Sequence, residues 1–142
     1  MLLEEAYYRQ KTLIEMRNIA GKNGVSDLYD EIDGSLRTLE ENIDENYAFS
    51  RLFTSYKKMK ETKGKYISVR ESSFGDLEKY VEILIENGFS EFVYSATTCS
   101  WAEDLLKLVE HGYKLGDVVV VNEPTYRYTR EVGILVTIPG RE

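Results

Sequence analysis

The chain has 142 residues, 42% of them apolar, and a formal net charge of −7; that is room for one ordinary domain, or a small domain with a helical extension, and enough apolar mass to exclude wholesale disorder. One cysteine excludes an internal disulfide framework and points to a reducing, cytoplasmic setting. The longest apolar run, Val118 to Val121, is far too short to span a bilayer, and the acids that follow Met1-Leu2-Leu3 leave no secretory signal.

The first predicted element is a helix from Leu2 to Ala20, with Leu3, Ala6, Tyr7, Leu13, Ile14, Met16 and Ile19 at roughly helical spacing. Gly21-Lys22-Asn23-Gly24 reads as a turn, and Ser26 as the N-cap of a second helix with Asp27 in its first turn. In that helix Leu28, Ile32, Leu36, Leu39, Ile43 and Tyr47 form one stripe, with most of the acids opposite. The apolar face is rotated beyond Tyr47, through Phe49, Leu52, Phe53, Tyr56 and Met59, so a break is predicted near Asp44 to Tyr47, with Asn42 and Glu45 as a capping pair. Only two prolines, Pro124 and Pro139, interrupt the chain, and Lys63-Gly64-Lys65 closes the helical half.

The period then changes. Tyr66 to Arg70 alternates as a strand, and Ser73 with Asp76 starts a helix that Asn87-Gly88 stops. Glu91 to Ala96 reads as a strand, and Ser100 with Glu103 as the capping box of a helix ended by Gly112. Leu115 to Val121 and Gly133 to Ile138 are the last two strands. The expected fold is α+β (or α/β): a helical region over 1–64 forming an N-terminal hairpin, then a small β-α-β-α-β-β sandwich over 65–142. Strands joined through helices are expected to pair parallel, and the final two as an antiparallel hairpin. The spans 66–89 and 92–113, each closing on Gly and an aromatic, suggest a repeated βα unit.

Charge is distributed unevenly. Asp27, Asp30, Glu31, Asp33, Glu40, Glu41, Asp44 and Glu45 share their stretch with one base, Arg37, so these residues carry the chain's whole net charge. Lys57, Lys58, Lys60, Lys63 and Lys65 follow with only Glu61 among them. Acids on this scale argue against direct DNA binding, which needs Lys and Arg for phosphates. An ordinary solvent face mixes signs for i, i+4 pairing; a face with so few bases fits a basic partner and can imitate a phosphate backbone.

Catalytic signatures are incomplete. Cys99 precedes a predicted helix start, but the only histidine, His111, lies at the far end of the same helix, about 18 Å away at 1.5 Å per residue. His111 reads as a cation at a helix C-terminus and Cys99 as a small turn residue. No paired Cys or His spacing suggests a metal, and no glycine-rich phosphate loop is present, so neither a metal nor a cofactor is expected. Thr97, Thr98 and Ser100 form a hydroxyl-rich turn at a helix start, suited to an anion or to plain capping. Tyr126, Arg127, Tyr128 and Arg130 alternate as on a strand, either gripping a phosphate and stacking on a base or forming an ordinary edge, and Arg70 can join them. Eleven tyrosines against five phenylalanines, with Tyr7, Tyr8, Tyr29, Tyr47 and Tyr56 in the helical half, suggest a protein interface or homo-oligomer.

From Phe92 to Pro139 the chain resembles a short domain of proteins from phages and mobile elements of Gram-positive bacteria. The likeness rests on a helix closing in Gly112-Tyr113-Lys114-Leu115, a valine-rich strand, Asn122-Glu123-Pro124 with Tyr126-Arg127, and the Gly133-Ile134-Leu135-Val136 strand. In size and acidity the chain is similar to anti-CRISPR and other anti-defence proteins. The resemblance implies a non-enzymatic inhibitor in a bacterial host cytoplasm, and the residues suggest that the eight acids dock a basic, nucleic-acid-handling partner such as a CRISPR effector nuclease. The alternatives are a sponge for a nucleotide second messenger using Arg70, Thr97, Thr98, Ser100, Tyr126, Arg127, Tyr128 and Arg130, and a structural oligomerising subunit.

Overall fold

The computed structural model describes residues 1–70, 74–95 and 101–141. Its elements run α1 (Leu3–Lys22), α2 (Ser26–Asp44), α3 (Tyr47–Glu61), β1 (Ser68–Val69), α4 (Phe74–Glu86), β2 (Glu91–Tyr94), α5 (Trp101–Glu110), β3 (Lys114–Asn122) and β4 (Glu131–Thr137). This is the expected α+β class, with a helical hairpin ahead of a mixed sheet.

The chain divides into two compact units, Met1–Phe53 and Thr54–Glu142. The division was expected at 64/65. It falls earlier because the second half of α3 keeps company with the sheet: Lys58 and Glu61 bond to Glu131 and Tyr128, and the Tyr56 and Phe89 rings meet edge-on at 6.5 Å.

In the first unit α1 and α2 form the hairpin. The apolar stripe of α2 is shorter than its sequence suggests. Ile32, Leu36, Leu39 and Ile43 are buried, whereas Leu28 and Tyr47 at its two ends are exposed. Ser26 is not the cap; Val25 occupies that position and no side chain bonds there. The predicted break is present, but its cap is Asn46 rather than Asn42: the Phe49 N–H donates to Asn46 Oδ1 at 3.0 Å. Asn46→Ala is expected to lower stability by about 1 kcal/mol, read in a urea melt, because the first turn of α3 loses its acceptor.

The second unit holds a sheet of order β1-β2-β4-β3. β1 and β2 are parallel, as a strand–helix–strand crossover requires. β4 is antiparallel to both β2 and β3. The second βα unit therefore does not repeat the first, since β4 inserts between β2 and β3. β1 is shorter than the predicted 66–70, although Val93 N–H to Ile67 O and Ser95 N–H to Val69 O carry the ladder beyond it. α4 and α5 close identically. Gly88 and Gly112 take φ +82° and +88°, and Phe89 and Tyr113 return their N–H groups to Leu84 O and Leu108 O.

Strand alternation and register give the sheet two faces. Phe92, Tyr94 and Val136 point one way, where the buried Tyr94 hydroxyl donates to Asp104 of α5 at 2.8 Å. Ser68, Arg70, Val93, Ser95, Gly133, Glu131 and Asn122 point the other, where Lys58 of α3 meets them.

Candidate functional site

Each unit carries one candidate place. On α2, Asp27, Asp30, Glu31, Glu40, Glu41 and Asp44 are exposed, as is Glu45 at its C-cap. At about 100° per residue, six of these lie opposite the buried stripe, and Glu40 borders it. The eighth acid behaves differently. Asp33 takes Arg17 of α1 on Oδ1 at 2.8 Å and Arg37 on Oδ2 at 3.2 Å, and Arg17 also lies over the Tyr29 ring at 5.9 Å. Asp33 thus clasps the hairpin and is matched by two cations, so it leaves the expected docking set. The other seven have no Lys or Arg within bridging distance among the described residues; Asp44 accepts from Ser50 Oγ at 2.9 Å. Beside this face a groove of about 560 Å³ runs between the helices, walled by Tyr8, Thr12, Leu13, Ser35, Thr38 and Leu39 among others.

The second place was not read from the sequence. Glu131 opens β4 with its side chain 10% exposed. Lys58 Nζ donates to its Oε1, Ser95 Oγ donates to its Oε2 at 2.7 Å, and Arg70 Nε stands 3.5 Å from Oε2. Burial disfavours the charged carboxylate, but the bonds from Lys58 and Ser95 and the charges of Lys58 and Arg70 outweigh it and hold the group below its ordinary range. One helical turn along α3, Glu61 accepts the Tyr128 hydroxyl at 2.7 Å and faces Arg127 at 3.7 Å. Beneath lie Ser68 Oγ and Asn122 Oδ1, buried and with no hydrogen-bond partner among the described residues. The seam sits at the carboxyl ends of β1, β2 and β3, the end of an α/β sheet that ligands favour. Yet Glu131 has donors on both oxygens and stays ionised, so the arrangement holds charge in place and is poorly suited to accepting a proton.

The Tyr126–Arg130 segment is not a strand. Pro124 ends β3, Thr125 Oγ1 accepts the N–H groups of Arg127 and Tyr128 at 3.2 and 3.0 Å, and Thr125 N–H donates to Tyr128 O, so the loop is folded on itself. Tyr126 is 91% exposed with Arg127 over its ring at 5.3 Å, and Tyr128 is tied to Glu61 instead of sharing its face. Arg70, Arg127 and Arg130 each face a carboxylate, from Glu131, Glu61 and Glu123. The positive charge expected to hold a nucleotide phosphate is already matched within the chain. Thr97, Thr98, Cys99 and Ser100, like Ser73, lie outside the described residues. The lysine run is likewise divided: Lys58 enters the seam, while Lys60 and Lys65 lie over the Tyr56 and Tyr66 rings at 5.4 Å each. No group of three or more metal-ligating side chains occurs among the described residues, and no described helix is long and apolar enough to cross a membrane.

The fold and seam define a small mixed α/β domain whose sheet end is closed by an internal ion-pair network and entered by a helix from the preceding segment. The chain belongs to the family described as a domain of unknown function, DUF7698, whose pattern matches residues 51–136. That span holds the sheet as far as Val136, α3 from Arg51 onward, and every member of the seam, and leaves out α1 and α2. No curated protein and no solved structure matches the chain.

Proposed function

We propose that the chain is a non-enzymatic binding protein that docks a basic protein surface through the acid face of α2. One observation carries this: seven exposed carboxylates along α2 and its C-cap have no Lys or Arg within bridging distance among the described residues, while the one carboxylate that is paired serves the hairpin itself. Unpaired surface charge of one sign costs self-repulsion and favours a partner of the other sign. The natural surface of that chemistry is a channel that otherwise grips nucleic-acid phosphates. In the terms of the phage and mobile-element resemblance, the partner is a nucleic-acid-guided nuclease of a bacterial host, such as a CRISPR effector, and the chain is its inhibitor. The docking face precedes the span shared with the family, so the reading assigns recognition to the N-terminal unit and a scaffold role to the seam.

The test reverses Asp30, Glu31, Glu41 and Asp44 to lysine and measures binding to such a nuclease at two salt concentrations. The expected result is salt-sensitive binding by the native chain that competes with DNA loading, and a loss of roughly a hundredfold in the variant at unchanged melting temperature. Binding that survives the reversal makes the acids a solvent face and overturns the reading.

A further inference from the structure

β3 borders the sheet, with β4 on one side and no described strand on the other. Its outer edge presents a row of backbone N–H and C=O groups that no described strand pairs. Protein edges are usually blunted by shortness, proline, charges or bulges. β3 has nine residues and no proline, and past Lys114 its only charge is Asp117. Register shifts fall between Leu115 and Val118 and between Val120 and Asn122, which leaves Val118–Val120 regular.

A separate observation concerns side chains. Val118 and Val120 are 67% and 37% exposed, and Val132, opposite Val120 in the ladder, is 38% exposed. By alternation all three share a face, so an uncovered apolar strip runs inward from the open edge. α5, which contacts β3, adds exposed Leu106 and Val109. Apart from Tyr126, every exposed large apolar residue described in this unit lies on α5, β3 or β4.

Only an extended polypeptide offers donors and acceptors at the period of a strand edge. We propose that the occupant is β3 of a second copy, antiparallel about a two-fold axis through Val119, so that two sheets join into one. The side chains select this register. The axis sets Val118 opposite Val120 of the second copy, and Val120 opposite its Val118, so the two apolar strips become continuous. It sets Asp117 opposite Val121 of the second copy; an axis through Asp117 would oppose two like charges. β3 is complementary to itself in backbone and face, with its one inner acid set against an apolar residue rather than against its own copy, and this favours a copy over a foreign strand. The pairing does not involve α2, so the charge-reversed hairpin dimerises like the native chain, and the two proposals stand or fall separately.

The experiment is light scattering on the intact chain from micromolar to submillimolar concentration, with hydrogen exchange at low and high concentration. A dimer is expected, with amides of 118–120 gaining protection as concentration rises. Val118→Lys with Val120→Lys, both at exposed positions, is expected to weaken it at least roughly tenfold while leaving the melting curve of the monomer in place. A monomer throughout the range, a dimer that the double variant leaves unchanged, or β3 amides indifferent to concentration would each overturn the proposal. The exchange readout uses the native chain and does not depend on the variant folding.

Discussion

Glu131→Ala is expected to cost about 3 kcal/mol of stability, roughly 15 °C in melting temperature for a unit of this size. The reason is the charge left behind. Lys58 is only 15% exposed at its side chain, and the Glu131 carboxylate is its bonded counter-ion. Removing the carboxylate leaves a shielded ammonium without its anion, together with a Ser95 hydroxyl without its acceptor. The same network sets a pH dependence. The folded state holds the Glu131 carboxyl below its ordinary value of 4.5. Its contribution is therefore complete above that value and is lost as pH falls through the lower, folded-state value. Urea midpoints taken from neutral pH down to about pH 3 should fall for the native chain and flatten in Glu131→Gln, which has no proton to gain at that site. An equally steep acid limb in the variant would show that other carboxylates govern acid unfolding.

Gly133→Ala is expected to cost about as much, for a steric reason. Gly133 lies in β4 between β2 and β3. A Cβ built there would stand 2.6 Å from Tyr94 O and 2.6 Å from Val93 Cγ1. The first obstacle is backbone in the middle of a sheet, so it cannot rotate aside, and the ladder must part by several tenths of an ångström. A loss of about 3 kcal/mol in a denaturant melt is the expected result. Gly116→Ala in β3 is the control: its Cβ would meet Leu135 at an ordinary 3.4 Å, and a change within about 0.5 kcal/mol is expected. Equal effects at the two glycines would mean that the close approach of β2 to β4 is absent in solution.

The hairpin was legible because its signals are local. The stripe of Ile32, Leu36, Leu39 and Ile43 follows helical spacing, and the acids between its members have nowhere to point but away. Where a local signal failed, a neighbour had changed its meaning. Asp33 reads as one acid among eight until Arg17, sixteen positions earlier, closes on it. Tyr126 to Arg130 alternates as a strand does, but Pro124 and the Thr125 hydroxyl fold it into a loop first. The valines of β3 read as a strand, but their spacing does not say which of them a neighbour covers. Their exposure follows from the sheet order, which places β3 at the border.

The seam shows the limit most clearly. Lys58 and Glu131 are 73 positions apart, and neither stands out in sequence: one looks like a member of a basic run, the other like a polar residue ahead of a strand. Their partnership depends on β4 inserting beside β2, on the register that puts Ser95 and Glu131 on one face, and on α3 reaching that face.

The sequence by itself determined the run of helices, the glycine stops of α4 and α5, the α+β class and the run of acids along α2. These arise from interactions among residues a few positions apart, which spacing and residue type encode directly. Only the tertiary structure decided which strands are neighbours, which carboxylates are matched by cations and which valines remain uncovered. Those depend on groups tens of residues apart, brought within a few ångströms by the order and register of the sheet.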